Sequence, residues 1–119
     1  MKFLGGAGAI GLFLGVALGA FGAHSLRGHL TDEMLNTFET GVRYQMYHSI
    51  ALLVVAFFAD KGKFFKYAGI LYIIGIILFS GSIYLIAMTS RVSFGIITPI
   101  GGLSFLAGHL CLLTGFLKR

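Results

Sequence analysis

Residues 64–88 read FFKYAGILYIIGIILFSGSIYLIAM, with Lys66 the one charge, near the start. The segment shows no alternation of period two, so it is expected to be helical rather than a strand. At 1.5 Å per residue it would run about 37 Å, enough to cross a hydrocarbon layer of ~30 Å. A helix also satisfies its own backbone groups, which lipid does not do. Two further segments, residues 3–23 and 98–117, carry no charge at all, and residues 42–59 form the apolar heart of a fourth, at 32–59. The expected fold is all-α: a polytopic membrane protein, one domain over 1–119. It is a four-transmembrane-helix bundle with helices at about 3–23, 32–59, 64–88 and 98–117, and an amphipathic segment leads into the second.

Composition points the same way. Of 119 residues, 57% are hydrophobic and 11% charged, and the mean hydropathy is +0.93. Soluble domains carry about 25% charged residues. Nine Lys and Arg with four Asp and Glu cannot coat a soluble surface. A soluble enzyme, a soluble nucleic-acid binder and a disordered chain are thereby excluded. The net charge of +5 sits mostly between the apolar segments, where topology signals belong. With four spans, Lys2, Lys61, Lys63, Lys66, Lys118 and Arg119 share one side, against Arg27, Arg91 and Arg43 near the other. Six against three predicts both termini in the cytoplasm. The first apolar run is longer than the core of a signal peptide, so a retained span is expected there. Cys111 is the single cysteine, which excludes an internal disulfide and a multi-cysteine metal site.

The second segment begins with Thr31 as its expected N-cap, and Asp32 and Glu33 favour the positive end of the helix dipole. Over 32–43, Met34, Leu35, Phe38 and Val42 fall on one face; Asp32, Glu33, Asn36, Glu39, Thr40 and Arg43 fall on the other. Gly41 is an expected bend and Gly62 an expected C-terminal cap. Pro99 marks the start of the fourth helix, where proline is tolerated.

Residues 6–11, GAGAIG, match the glycine pattern of a dinucleotide loop, but no strand precedes them. Gly11, Gly15, Gly19 and Ala23, four apart, are instead expected to form a smooth helix face for close packing, against a neighbouring helix or another protomer. Glu39 and Arg43, spaced i, i+4 in the favourable order, are expected to pair, with Tyr47 continuing the stripe. Tyr44 and His48 share a second face, and His48 and His109 lie near the middle of their segments. Ionisable groups inside spans are functional candidates. His24, Ser80, Ser82, Tyr84 and Thr98 lie in the same outer half. Together these residues (His24, Glu39, Arg43, Tyr44, Tyr47, His48, Ser80, Ser82, Tyr84 and Thr98) form a candidate outward-facing polar pocket. A pore would need polar residues in the inner half as well. His24, His29, Asp32 and Glu33 fit no metal-ligand spacing, and no phosphate loop, nucleophile elbow or His-Glu-x-x-His motif is present.

The blocks GAFGAH (19–24), FETGVRYQMYH (38–48), LFSGSIYL (78–85) and ITPIGG (97–102) resemble the signatures of one family across essentially the whole chain. It is the small membrane proteins of domain of unknown function 423, also called UPF0382, which include bacterial inner-membrane proteins. The resemblance implies four transmembrane helices and carries no activity with it. The expectation is a non-catalytic protein that packs with itself or a partner, in contact with the lipid bilayer, with homo-oligomers formed through the small-residue faces. No cofactor, metal or nucleic acid is expected. The alternatives are a small transporter or ligand-binding protein using the polar pocket, and a membrane enzyme using the His and Glu residues.

Overall fold

The computed structural model describes residues 2–118. Four helices account for nearly all of them: α1 (Lys2–Leu26), α2 (Asp32–Lys61), α3 (Lys63–Thr89) and α4 (Val92–Leu117), each long and apolar enough to cross a membrane. Short connections make neighbours antiparallel. α1 packs along α2, α2 across α3, and α3 along α4, whereas α1 barely touches α3. The resulting bundle measures 50 × 26 × 17 Å.

Two helices contain a wider π turn, at Leu18–Gly22 in α1 and Ile76–Ser80 in α3. Through the first of these α1 continues to Leu26, three residues past its expected end. α4 begins earlier than expected, because a 3-10 turn over Val92–Ile96 leads into it, and Pro99 then occupies its first α-helical turn. The Thr31 hydroxyl caps α2 by accepting from the Met34 amide at 3.1 Å. α2 is continuously helical through Gly41, where the missing side chain lets Ile83 and Tyr84 of α3 approach. Gly62 is extended, with φ 170°, and links α2 directly to α3.

Lipid tails are as apolar as leucine, so burying apolar surface gives helices little reason to associate; close packing and hydrogen bonds must do it. On α1, Gly8 meets Ser49 and Leu52, Gly15 meets Met46, Gly19 meets Val42 and Gly22 meets Phe38. The α3–α4 contact is more regular. Phe65, Tyr72 and Phe79 stand seven apart on α3 and press on Gly115, Gly108 and Gly101, seven apart on the antiparallel α4. A seven-residue period keeps one seam in contact along two helices. Leu4, Leu52, Val55, Phe65, Tyr72 and Phe105 belong to the buried core. Leu4 at the start of α1 packs on Gly69 of α3, and Lys63 and Lys118 both lie over the Phe64 ring. Lys2, Lys61, Lys63, Lys66 and Lys118 therefore share one end of the bundle; Arg119 lies outside the described residues.

Candidate functional site

The polar side chains inside the spans form separate hydrogen-bonded units. The first joins three helices. Gln45 of α2 donates from Nε2 to the Gly11 carbonyl of α1 at 2.8 Å, and its Oε1 accepts from the Tyr84 hydroxyl of α3 at 2.6 Å. Since a carbonyl only accepts, the amide orientation is fixed by its partners.

The second unit ties α3 to its neighbours by hydroxyls. Ser80 donates to the Gly41 carbonyl at 2.6 Å. Ser82 and Thr98 share a hydroxyl–hydroxyl bond between α3 and α4, and Ser104 donates to the Leu71 carbonyl at 2.7 Å. Ser49, fully buried against Gly11, has no hydrogen-bond partner for its hydroxyl among the described residues.

The third unit holds the two mid-span histidines. His48 Nδ1 lies 2.7 Å from the Tyr44 carbonyl, His48 Nε2 lies 3.3 Å from His109 Nε2, and His109 Nδ1 lies 2.8 Å from the Tyr72 hydroxyl. The His48 ring stacks on Phe105, with centroids 3.5 Å apart and planes 8° from parallel.

The ten residues grouped by sequence into one outward pocket are thus distributed. His24 is exposed at the end of α1. Tyr44 and Tyr47 pack edge to face on an exposed side of α2. Glu39 and Arg43 do not form the expected ion pair. Both are exposed, and Arg43 Nη2 donates instead to the Thr40 hydroxyl at 3.0 Å, an acceptor one residue nearer along the helix. Of the expected small-residue face, Gly11, Gly15 and Gly19 abut α2 of the same chain, and the side chain of Ala23 lies outside the described residues. Sequence reasoning left out Gln45 and Tyr72. An aromatic residue four positions before each mid-span histidine, Tyr44 before His48 and Phe105 before His109, was the available sign that two similar faces meet.

One recess is lateral. A groove of about 550 Å³ opens where α1 and α3 stand apart over α2, lined by apolar residues including Ile10, Leu14, Leu18, Ile73 and Ile77. Gln45 and Tyr84 supply its polar edge. Among the described residues no three His, Cys, Asp or Glu side chains converge to hold a metal ion.

Residues 18–102 match the family described as "Protein of unknown function (DUF423)". The "UPF0382 membrane protein YwdK" of Bacillus subtilis is 45% identical over 115 residues, covering 93% of each chain. A "UPF0382 membrane protein" of Haemophilus influenzae is 44% identical over 111 residues, 92% of this chain and 90% of its own. The "UPF0382 inner membrane protein YgdD" of Escherichia coli is 37% identical over 112 residues, 92% of this chain and 86% of its own. No solved structure matches. Identity at this level along nearly the full length of both chains, together with four spanning helices, places the chain: it belongs to the DUF423 family of UPF0382 membrane proteins.

Proposed function

We propose that this chain is a non-catalytic, multi-pass protein of the bacterial inner (cytoplasmic) membrane that packs through its helices with itself or with a membrane partner. The observation that supports this most directly is the use of the polar side chains. Gln45, Ser80, Tyr84, Ser82, Thr98 and Ser104 all bond to a neighbouring helix. Bonds of this kind hold helices together in lipid. The α1–α3 groove then leaves an apolar seat on the lipid-facing side. The test is a single-cysteine scan in native membranes over Ile10, Phe13, Ile77, Leu106 and Leu110, all exposed, in a Cys111→Ala background. Cross-linking confined to one face is expected. A chain that cross-links at no face and captures no partner would contradict the proposal.

A second reading, a bound lipid or other apolar ligand, is favoured by the polar edge that Gln45 and Tyr84 give the groove. Gly81 lines that groove, and an added Cβ there meets nothing within 4 Å. Gly81→Phe would project a ring toward that space from a position whose Cβ meets no neighbour. Native mass spectrometry should then show a retained adduct on the parent protein and none on the variant; equal adducts on both would count against ligand binding.

Insertion with both termini and the α2–α3 connection in the cytoplasm is supported by the gathering of five lysines at one end of the bundle. Cysteines at Lys2, Gly62 and Lys118 should resist an impermeant thiol reagent in intact cells, and labelling at any of them would reverse the orientation.

A further inference from the structure

The histidine unit is more than a contact between helices, because its hydrogen bonds have a direction. The Tyr44 carbonyl can only accept, so His48 carries its proton on Nδ1. In the neutral ring Nε2 is then an acceptor, and the bond to His109 requires His109 to donate from Nε2. His109 Nδ1 is in turn an acceptor, and the Tyr72 hydroxyl donates to it. The neutral unit is one directed row: Tyr72 O–H to His109, His109 N–H to His48, His48 N–H to the Tyr44 carbonyl. Every ring nitrogen is satisfied with both histidines uncharged.

One proton can be added to this row and two cannot. The first goes to His109 Nδ1, and the Tyr72 hydroxyl turns from donor to acceptor. The charge can then pass to His48 by movement of the proton already between the two Nε2 atoms, with no change in proton count. A second proton would put an N–H on each Nε2, facing one another across 3.3 Å.

Rings lie around His48 on three sides: Phe105 at 3.5 Å, Tyr72 at 5.4 Å and Tyr44 at 6.1 Å between centroids. The other titratable groups near the row are Tyr44 on α2, Tyr72 on α3 and Cys111 on α4. No carboxylate hydrogen-bonds to the row among the described residues. His48 is 5% exposed, whereas His109 lies on the exposed surface of α4, beside Leu106 and Leu110.

The geometry points to the His48–His109–Tyr72 row as an intramembrane binding site for a single proton, held at His109 Nδ1 and shared with His48. Histidine's proton exchange falls in the physiological range, and ionisable groups within spans commonly mark proton sites. The assignment does not depend on the proposed packing role.

The test uses the full chain in lipid nanodiscs with His24→Gln and His29→Gln, leaving only these two imidazoles. The ¹⁵N resonances of both rings are followed from pH 8 to pH 4. At pH 8, His48 should show the Nδ1–H tautomer and His109 the Nε2–H tautomer. Acidification should add one proton per chain in one step that both rings report. The same tautomer on both rings, no uptake, or two protons per chain would each overturn the assignment. Tyr72→Phe removes one oxygen and should move the His109 Nδ1 resonance while leaving the His48 tautomer unchanged. A tautomer change at His48 would refute the direction of the row.

Discussion

A graded set of glycine substitutions tests whether α3 and α4 touch as closely as the seven-residue pairing requires. A Cβ built on Gly101 would lie 2.7 Å from the Phe79 Cα and closer still to its nitrogen. Carbon atoms pack at about 3.5–4.0 Å, so the two helices would have to part by roughly 1 Å at this level. The obstruction is backbone, which cannot rotate aside. On Gly115 the added Cβ would lie 3.0 Å from the Phe65 ring, which can tilt. On Gly81 it would meet nothing within 4 Å. Alanine is favoured over glycine in a helix by up to about 1 kcal/mol, and overpacking a close contact costs about 1–3 kcal/mol. Gly81→Ala should therefore be neutral or slightly stabilising, Gly115→Ala intermediate, and Gly101→Ala lower in stability than Gly81→Ala by roughly 1–3 kcal/mol, because the helix-propensity gain is common to both. Reversible unfolding by SDS titration in mixed micelles, followed by helicity, gives the order. Equal stability of Gly101→Ala and Gly81→Ala would show that the helices are not in backbone contact at Phe79.

Other substitutions probe the polar units separately. Gln45→Leu with Tyr84→Phe in a double-mutant cycle should show a coupling of about 0.6 kcal/mol, up to about 1.7; zero coupling by the same SDS titration would remove the three-helix junction. Ser49→Ala should leave stability unchanged or raise it by up to about 1 kcal/mol, because the hydroxyl it removes is buried and unpartnered. A loss above that size would reveal a bond to Ser49. Glu39→Gln and Arg43→Gln should be additive within about 0.5 kcal/mol, since Arg43 bonds to Thr40; strong coupling would restore the ion pair.

Hydropathy was sufficient to find the spans, because each apolar run reports its own partition into lipid whatever its neighbours do. Contacts between spans depend on register, and no single segment contains it. The aromatic residues at 65, 72 and 79 and the glycines at 101, 108 and 115 were visible separately, yet only the antiparallel alignment of both rows makes them a seam. Grouping polar residues by depth failed for a related reason: depth does not fix azimuth. The wider turn at Ile76–Ser80 adds a residue to α3 and rotates everything after it by about 100° relative to a uniform helix. Ser80 consequently reaches Gly41, Ser82 turns to Thr98, and Tyr84 turns to Gln45. Spacing also gives reach without exclusivity, as Arg43 shows by choosing Thr40 over Glu39. The histidines are the instructive contrast. Their equal depth was evident from the chain, and the aromatic residue four positions before each supplies the missing azimuth: rings placed one turn earlier on both helices bring the two faces together. A mid-span histidine with such a ring behind it is therefore better read with its counterpart on another span than alone.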